Sequence, residues 1–170
     1  MQKSKNEICT ANHLLVDFSE VKYKVKGMRM EKRRRIKSLE DARTFFSKDI
    51  YALETTGIEI DEAREGYSKV SLNLDRRHEN AGGKVMGGVY YTLADIAFGV
   101  AANFDREPTV TLDSQITFLT PAEGKTLYAE ADEVRSGIHT CCYEVVVTDD
   151  LGTKCAIALF NGFKLEVEKH

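Results

Sequence analysis

Between Val85 and Phe104 the chain carries one charged residue, Asp95, inside an otherwise apolar run of helical length. A helix that is apolar on every side must be wrapped by other elements or sit in a bilayer. The central carboxylate, the Gly87–Gly88 pair at the start and the alternating segments that follow argue for a core helix and against a membrane span. The rest of the fold must therefore supply the wrapping.

That wrapping is legible as period-two patterns. "GYSKVSLNLD" sets Val70, Leu72 and Leu74 against Lys69, Ser71 and Asn73. "TVTLDSQITFL" sets Val110, Leu112, Ile116 and Phe118 against Thr111, Asp113, Gln115 and Thr117. "KTLYAEADEV", "HTCCYEVVVTD" and "TKCAIALFNGFKLEV" follow, separated by "SG" and "DDLG" turn signals. Upstream, "SLEDARTFFSKDIYALE" reads as a helix, with Ser38 as N-cap, Asp41 three residues on, and Leu39, Ala42, Phe45 and Phe46 at helical spacing. The order predicts an α+β fold. A helix and one or two strands lead into the long apolar helix and then a four-stranded antiparallel meander, the sheet curling around the central helix.

Charge divides the chain. Residues 1–37 carry a net +7 and residues 38–170 a net −10, within an overall −3. Residues 1–37 are expected to be a basic, poorly ordered extension or the product of a start site placed ahead of Met28 or Met30, and 38–170 the folded domain. The run "EKRRRIK" is too short and too weakly patterned for a helix-turn-helix, and no nucleic-acid partner is expected. Cys9, Cys141, Cys142 and Cys155 lack CxxC spacing, and His13, His78, His139 and His170 lack HxxxH spacing, so no metal site is expected. With no secretory leader in view, the expectation is a cytoplasmic protein with reduced thiols and no membrane partner.

Asp95 then needs a reason. A buried carboxylate without partners costs several kcal/mol, so it is either paired structurally or used. Gly87 and Gly88 have two readings as well. They permit close packing, or they bare the positive end of the helix, whose amides polarise a carbonyl and stabilise the oxyanion formed when water attacks it. Eight residues separate Gly87 from Asp95, about 12 Å along one helix at 1.5 Å per residue. One carbonyl cannot be served by both in the same chain. If both act, Asp95 meets the Gly87 end of a second subunit across a two-fold axis, giving two equal sites.

"HENAGGKVMGGVYYTLADIAFGVAAN" followed by "PTVTLDSQITFLTPA" resembles the hotdog-fold acyl-CoA thioesterases of the phenylacetyl-CoA thioesterase (PaaI-like) group. Asn80, Met86-Gly87-Gly88, Leu93-Ala94-Asp95 and Thr111-Leu112-Asp113 stand at that family's spacings, over about Ala42 to Phe163. The resemblance implies a hotdog fold, an antiparallel sheet wrapped around a long central helix, acting without a cofactor as a homodimer or homotetramer. It implies acyl-CoA as substrate, Asp95 as general base or, as the lesser option, nucleophile, and the Gly87 N–H as carbonyl donor. Asn80 would orient thioester or water, and Thr111 would bond near Asp95. Met86, Gly88 and Tyr91 would touch substrate, Tyr90, Tyr91 and Phe98 would line the acyl group, and Arg76, Arg77 and Lys84 lie near enough in sequence to meet CoA phosphates. Met86 departs from the pattern, which usually has His there, and a thioether neither donates a strong hydrogen bond nor transfers a proton. The alternative is an acyl-CoA-binding sensor without turnover.

Overall fold

A computed structural model describes residues 35–165. Most of the basic extension, the candidate starts Met28 and Met30, and Cys9, His13 and His170 lie outside them. Helix α1 (Leu39–Phe46) opens on Ser38, whose hydroxyl accepts from the Asp41 N–H at 3.1 Å. Arg43 donates twice to the Ile60 carbonyl, pinning α1 to the first strand. The helix expected over 38–54 is broken. It stops at Phe46, and Asp49 caps a separate π-helix, Ile50–Thr56, which ends at Gly57 with φ +89°. A second capping residue, Asp49, divides what the apolar spacing alone reads as continuous.

Six antiparallel strands follow: β1 (Ile58–Arg64), β2 (Tyr67–Asn73), β3 (Thr109–Phe118), β4 (Thr126–Ser136), β5 (Thr140–Asp149) and β6 (Lys154–Lys164). Their order is β1-β2-β4-β5-β6-β3. The expected four-stranded meander is therefore corrected: β4-β5-β6 is a meander, but β3 lies at the far edge beside β6. Between β3 and β4 runs Leu119–Lys125, up to ~23 Å when extended, enough to cross three strand spacings of about 4.8 Å.

Helix α2 (Gly87–Asn103) lies in the concave face of this sheet. Ala129 and Ala131 of β4 and Ala156 and Ala158 of β6 are small, which lets the helix sit close, while Leu93, Ala97, Phe98 and Ala101 fill the gap and are buried. Phe98 stacks on Phe160 with centroids 5.1 Å apart and rests above Gly162, where a Cβ would fall 2.9 Å from the ring. Ser68 donates to the Ala97 carbonyl at 2.6 Å. Asn103 closes the far end: its side chain donates to the carbonyls of Gly99 and Thr109 and accepts from the Thr109 N–H. That exchange fixes where β3 begins.

The loop before β4 is held by Asp149, buried at the end of β5. Its carboxylate accepts from the backbone N–H groups of Glu123, Gly124, Leu151 and Thr153 at 2.8–3.1 Å. Burial pushes this carboxyl up, but the backbone donors outweigh it and bring it down to about 2 from 3.8. The folded value lies below the unfolded one, so this stabilisation is complete above about pH 4 and is lost as pH falls towards 2. Asp149→Ala is expected to cost about 3 kcal/mol, a drop in melting temperature of roughly 10 °C at neutral pH. The gap between variant and wild type should close as the melts are repeated at lower pH.

The strand β3 contains one extra residue. Its pairing with β6 runs Thr111 to Gly162 and then Asp113 to Asn161, leaving Leu112 as a bulge. A bulge shifts side-chain parity. Thr109 and Thr111 before it, and Ser114 and Phe118 after it, face the helix: Thr109 is buried, and the other three touch α2 side chains or backbone. The single face expected from Val110, Leu112, Ile116 and Phe118 is corrected accordingly.

Candidate active site

Residues 87, 91, 95 and 99 recur every fourth position and so form one stripe along α2. Strand β3 runs antiparallel to this stripe and meets it rung by rung. Phe118 stands over Gly87, 3.2 Å from where a Cβ would be. Ser114 shares a short hydrogen bond with the Tyr91 hydroxyl. Thr111 donates to Asp95 Oδ1 across a long 3.4 Å. Without the bulge, Thr111 and Ser114 would point to opposite faces, and one of the two rungs would be lost.

Asp95 is half-buried, and burial raises its carboxyl above the usual 3.8; the Thr111 hydrogen bond opposes this and the Asp49 carboxylate adds to it. A carboxylate in that setting is a stronger base than one in water. At the other end of the stripe, α2 begins at Met86 without any side-chain cap. The first amides of a helix have no acceptor within it, so Gly87 presents the positive helix end bare of capping groups. Met86 is 45% exposed, and its terminal methyl lies 2.7 Å from a Cβ placed on Gly88.

The remaining candidates separate. Asn80 ties its own loop together: its Oδ1 accepts from Gly82 and Lys84 N–H, and its backbone bonds to Lys84 and Gly83. Gly83, at φ +69°, takes the left-handed conformation that loop requires. Tyr90 and Phe98 are core residues, Tyr90 accepting from the Ala122 N–H with its hydroxyl, so neither is an open wall for a ligand. Arg77 is committed to Asp75 and the Thr55 carbonyl. Arg76 and Lys84 instead line a groove of about 410 Å³, joined there by Lys125 from the β3–β4 link and by the carboxylates Asp75, Glu79 and Glu123. Ser114, Phe118 and Lys125 were missed from sequence. Only the bulge and the crossover, both long-range, bring them to the helix start and its stripe. Among the described residues Cys141, Cys142 and Cys155 are unpaired, and no helix is long and apolar enough to cross a membrane.

An antiparallel sheet wrapped around one long helix, with an acid on that helix facing the edge strand, is the hotdog architecture of thioester hydrolases. The model of the Thioesterase superfamily matches residues 82–156. A protein of Archaeoglobus fulgidus named "Putative esterase" is 32% identical over 121 residues, covering 71% of this chain and 79% of that one. The acyl-coenzyme A thioesterase PaaI of Escherichia coli is 29% identical over 127 residues, 74% of this chain and 89% of its own. The solved structure of the E. coli PaaI protein from the phenylacetic acid degradation operon superposes with a TM-score of 0.66 over 76% of this chain and 97% of that one, at 24% identity, a likeness of fold. The chain belongs to the thioesterase superfamily, within its PaaI-like hotdog group.

Proposed function

We propose that the protein hydrolyses short- or medium-chain or aryl acyl-CoA thioesters in the cytoplasm, in sites shared between two subunits. The observation that carries this is the stripe on α2: a carboxylate made more basic by burial, eight residues from an uncapped glycine helix start. Water, its proton taken by Asp95, attacks the thioester carbonyl while the Gly87 N–H of the second subunit binds the developing oxyanion. The tetrahedral intermediate collapses with cleavage of the C–S bond, and the proton held by Asp95 passes to the departing CoA thiolate. Thr111 orients the carboxylate, Asn80 shapes the loop leading to the helix start, and Arg76, Lys84 and Lys125 offer positive charge to the nucleotide end. Met86 and Gly88 border the thioester.

The two edges of the sheet favour pairing through β3. Strand β1 carries Glu59, Asp61, Glu62 and Arg64, charges that discourage edge-to-edge contact, whereas β3 carries only Asp113 and exposes Val110, Leu112 and Phe118. A partner strand there, in a dimer or a pair of dimers, would bring two α2 helices antiparallel. Met86, at the position where the family usually places a histidine, favours one second reading: an acyl-CoA-binding protein that does not turn over.

Thiol release from a panel of acyl-CoAs decides between them. Hydrolysis with an acidic limb in kcat/KM above the ordinary aspartate range is expected, because only the ionised base works and burial raises its pKa. Thr111→Val removes the hydrogen bond that lowers that value and should move the limb to higher pH. Tight binding with no thiol release from any substrate would select the sensor.

A further inference from the structure

We propose that Tyr91, locked by Ser114, is the end wall that limits acyl length. This rests on the shared site just described. If Asp95 of one subunit faces Gly87 of the other, two-fold symmetry places the axis beside the residue midway between them, which is Tyr91. Each Tyr91 then lies about 6 Å along the helix from either reacting carbonyl. The two rings together close the seam between the sites.

The ring is fixed at both ends. Its hydroxyl bonds to Ser114 on β3, and its ring is tilted against that of Phe160, centroids 5.9 Å apart, Phe160 being itself buried and stacked on Phe98. A tyrosine has only two side-chain torsions, and these contacts restrain both. Yet 37% of the residue stays exposed in the single chain, on the stripe that carries Asp95. An acyl group running along the seam from the carbonyl has room for about four extended carbons, or one planar ring, before it meets this wall. Longer chains must displace it. Ser114 is thus a positioning residue, acting on selectivity through Tyr91.

The test is kcat/KM across straight-chain acyl-CoAs from two to twelve carbons, for wild type, Tyr91→Ala, Tyr91→Phe, Ser114→Ala and the double variant Tyr91→Phe with Ser114→Ala. Wild type should lose at least about tenfold between the six- and ten-carbon substrates. Tyr91→Ala should raise the ten-to-four-carbon ratio by about tenfold or more. Tyr91→Phe and Ser114→Ala each cut the same hydrogen bond. Each should raise that ratio by a smaller, similar factor, and the double variant should match either single one. Circular dichroism and sedimentation establish that each variant is folded and assembled; Ser114→Ala, at the strand edge, keeps the test open if Tyr91→Ala does not fold. Parallel chain-length profiles in wild type and every variant would overturn the wall. If wild type releases no thiol, calorimetric binding of the same series tests it separately: affinity should break at the same length. A protein that binds no acyl-CoA loses both readings together.

Discussion

Asp95→Asn is expected to lower kcat by about 10²–10⁴ on every acyl-CoA the wild type cleaves. The variant should at the same time be at least as stable as the wild type at neutral pH. The two halves have one cause. Burial raises the carboxyl above 3.8, so the folded chain holds its proton more tightly than the unfolded chain, and stability declines as pH rises through the folded value. An amide of the same shape never ionises, so this penalty is gone, but it cannot accept the proton of water. Parallel melting curves and thiol-release assays at pH 7 check both. A variant active at the wild-type rate would remove Asp95 from the mechanism, and one that fails to fold would overturn the stability half of the expectation.

Gly87→Pro should lower kcat by about 10²–10³, the usual effect of losing one oxyanion donor. Proline is the informative substitution because it deletes the N–H while keeping the helical backbone, its ring carbons taking the space beside Phe118 and in front of the lost donor. The first helical position tolerates it, and Met86 before it already has the extended backbone (φ −68°, ψ 139°) that a residue preceding proline prefers. Phe118, 54% exposed, must give way by a few tenths of an ångström, which its exposure permits. Mixing this variant with Asp95→Asn tests site sharing. Half the dimers formed on random reassociation are mixed, and each holds one intact site of two, so about a quarter of wild-type activity should return. No recovery, with exchange of subunits verified, would overturn the shared site: since about 12 Å keeps Gly87 and Asp95 of one chain from serving the same carbonyl, at least one of them would then act in another way.

Local order was readable wherever the residues that make it are neighbours in sequence. Ser38 caps α1, the alternation of Val70 and Leu72 marks an inner face, and the apolar run around Asp95 forms the wrapped helix. The candidate site was legible to the same extent. Asp95 and Gly87 belong to one helix, and the Thr111 contact followed from the family resemblance. What stayed hidden was long-range. Nothing in "TVTLDSQITFL" announces a bulge, because it arises from pairing with β6, about fifty residues later. Chain order alone sets β3 beside β4, whereas the sheet sets it beside β6. The aromatic residues Tyr90, Tyr91 and Phe98 look alike in sequence. Their angular positions around α2 make two of them core and leave one on the open stripe.

The extra residue in β3 has a consequence for how this segment can change over time. Side chains along the strand can be exchanged at modest cost, since most point to an open edge or to an adaptable face. Removing or adding a single residue between Val110 and Asp113 is different, because it leaves only one of Thr111 and Ser114 facing the helix. Insertions and deletions should therefore be strongly disfavoured at a place where substitutions are not. In this stretch the chain transmits a count of residues more than a choice of them.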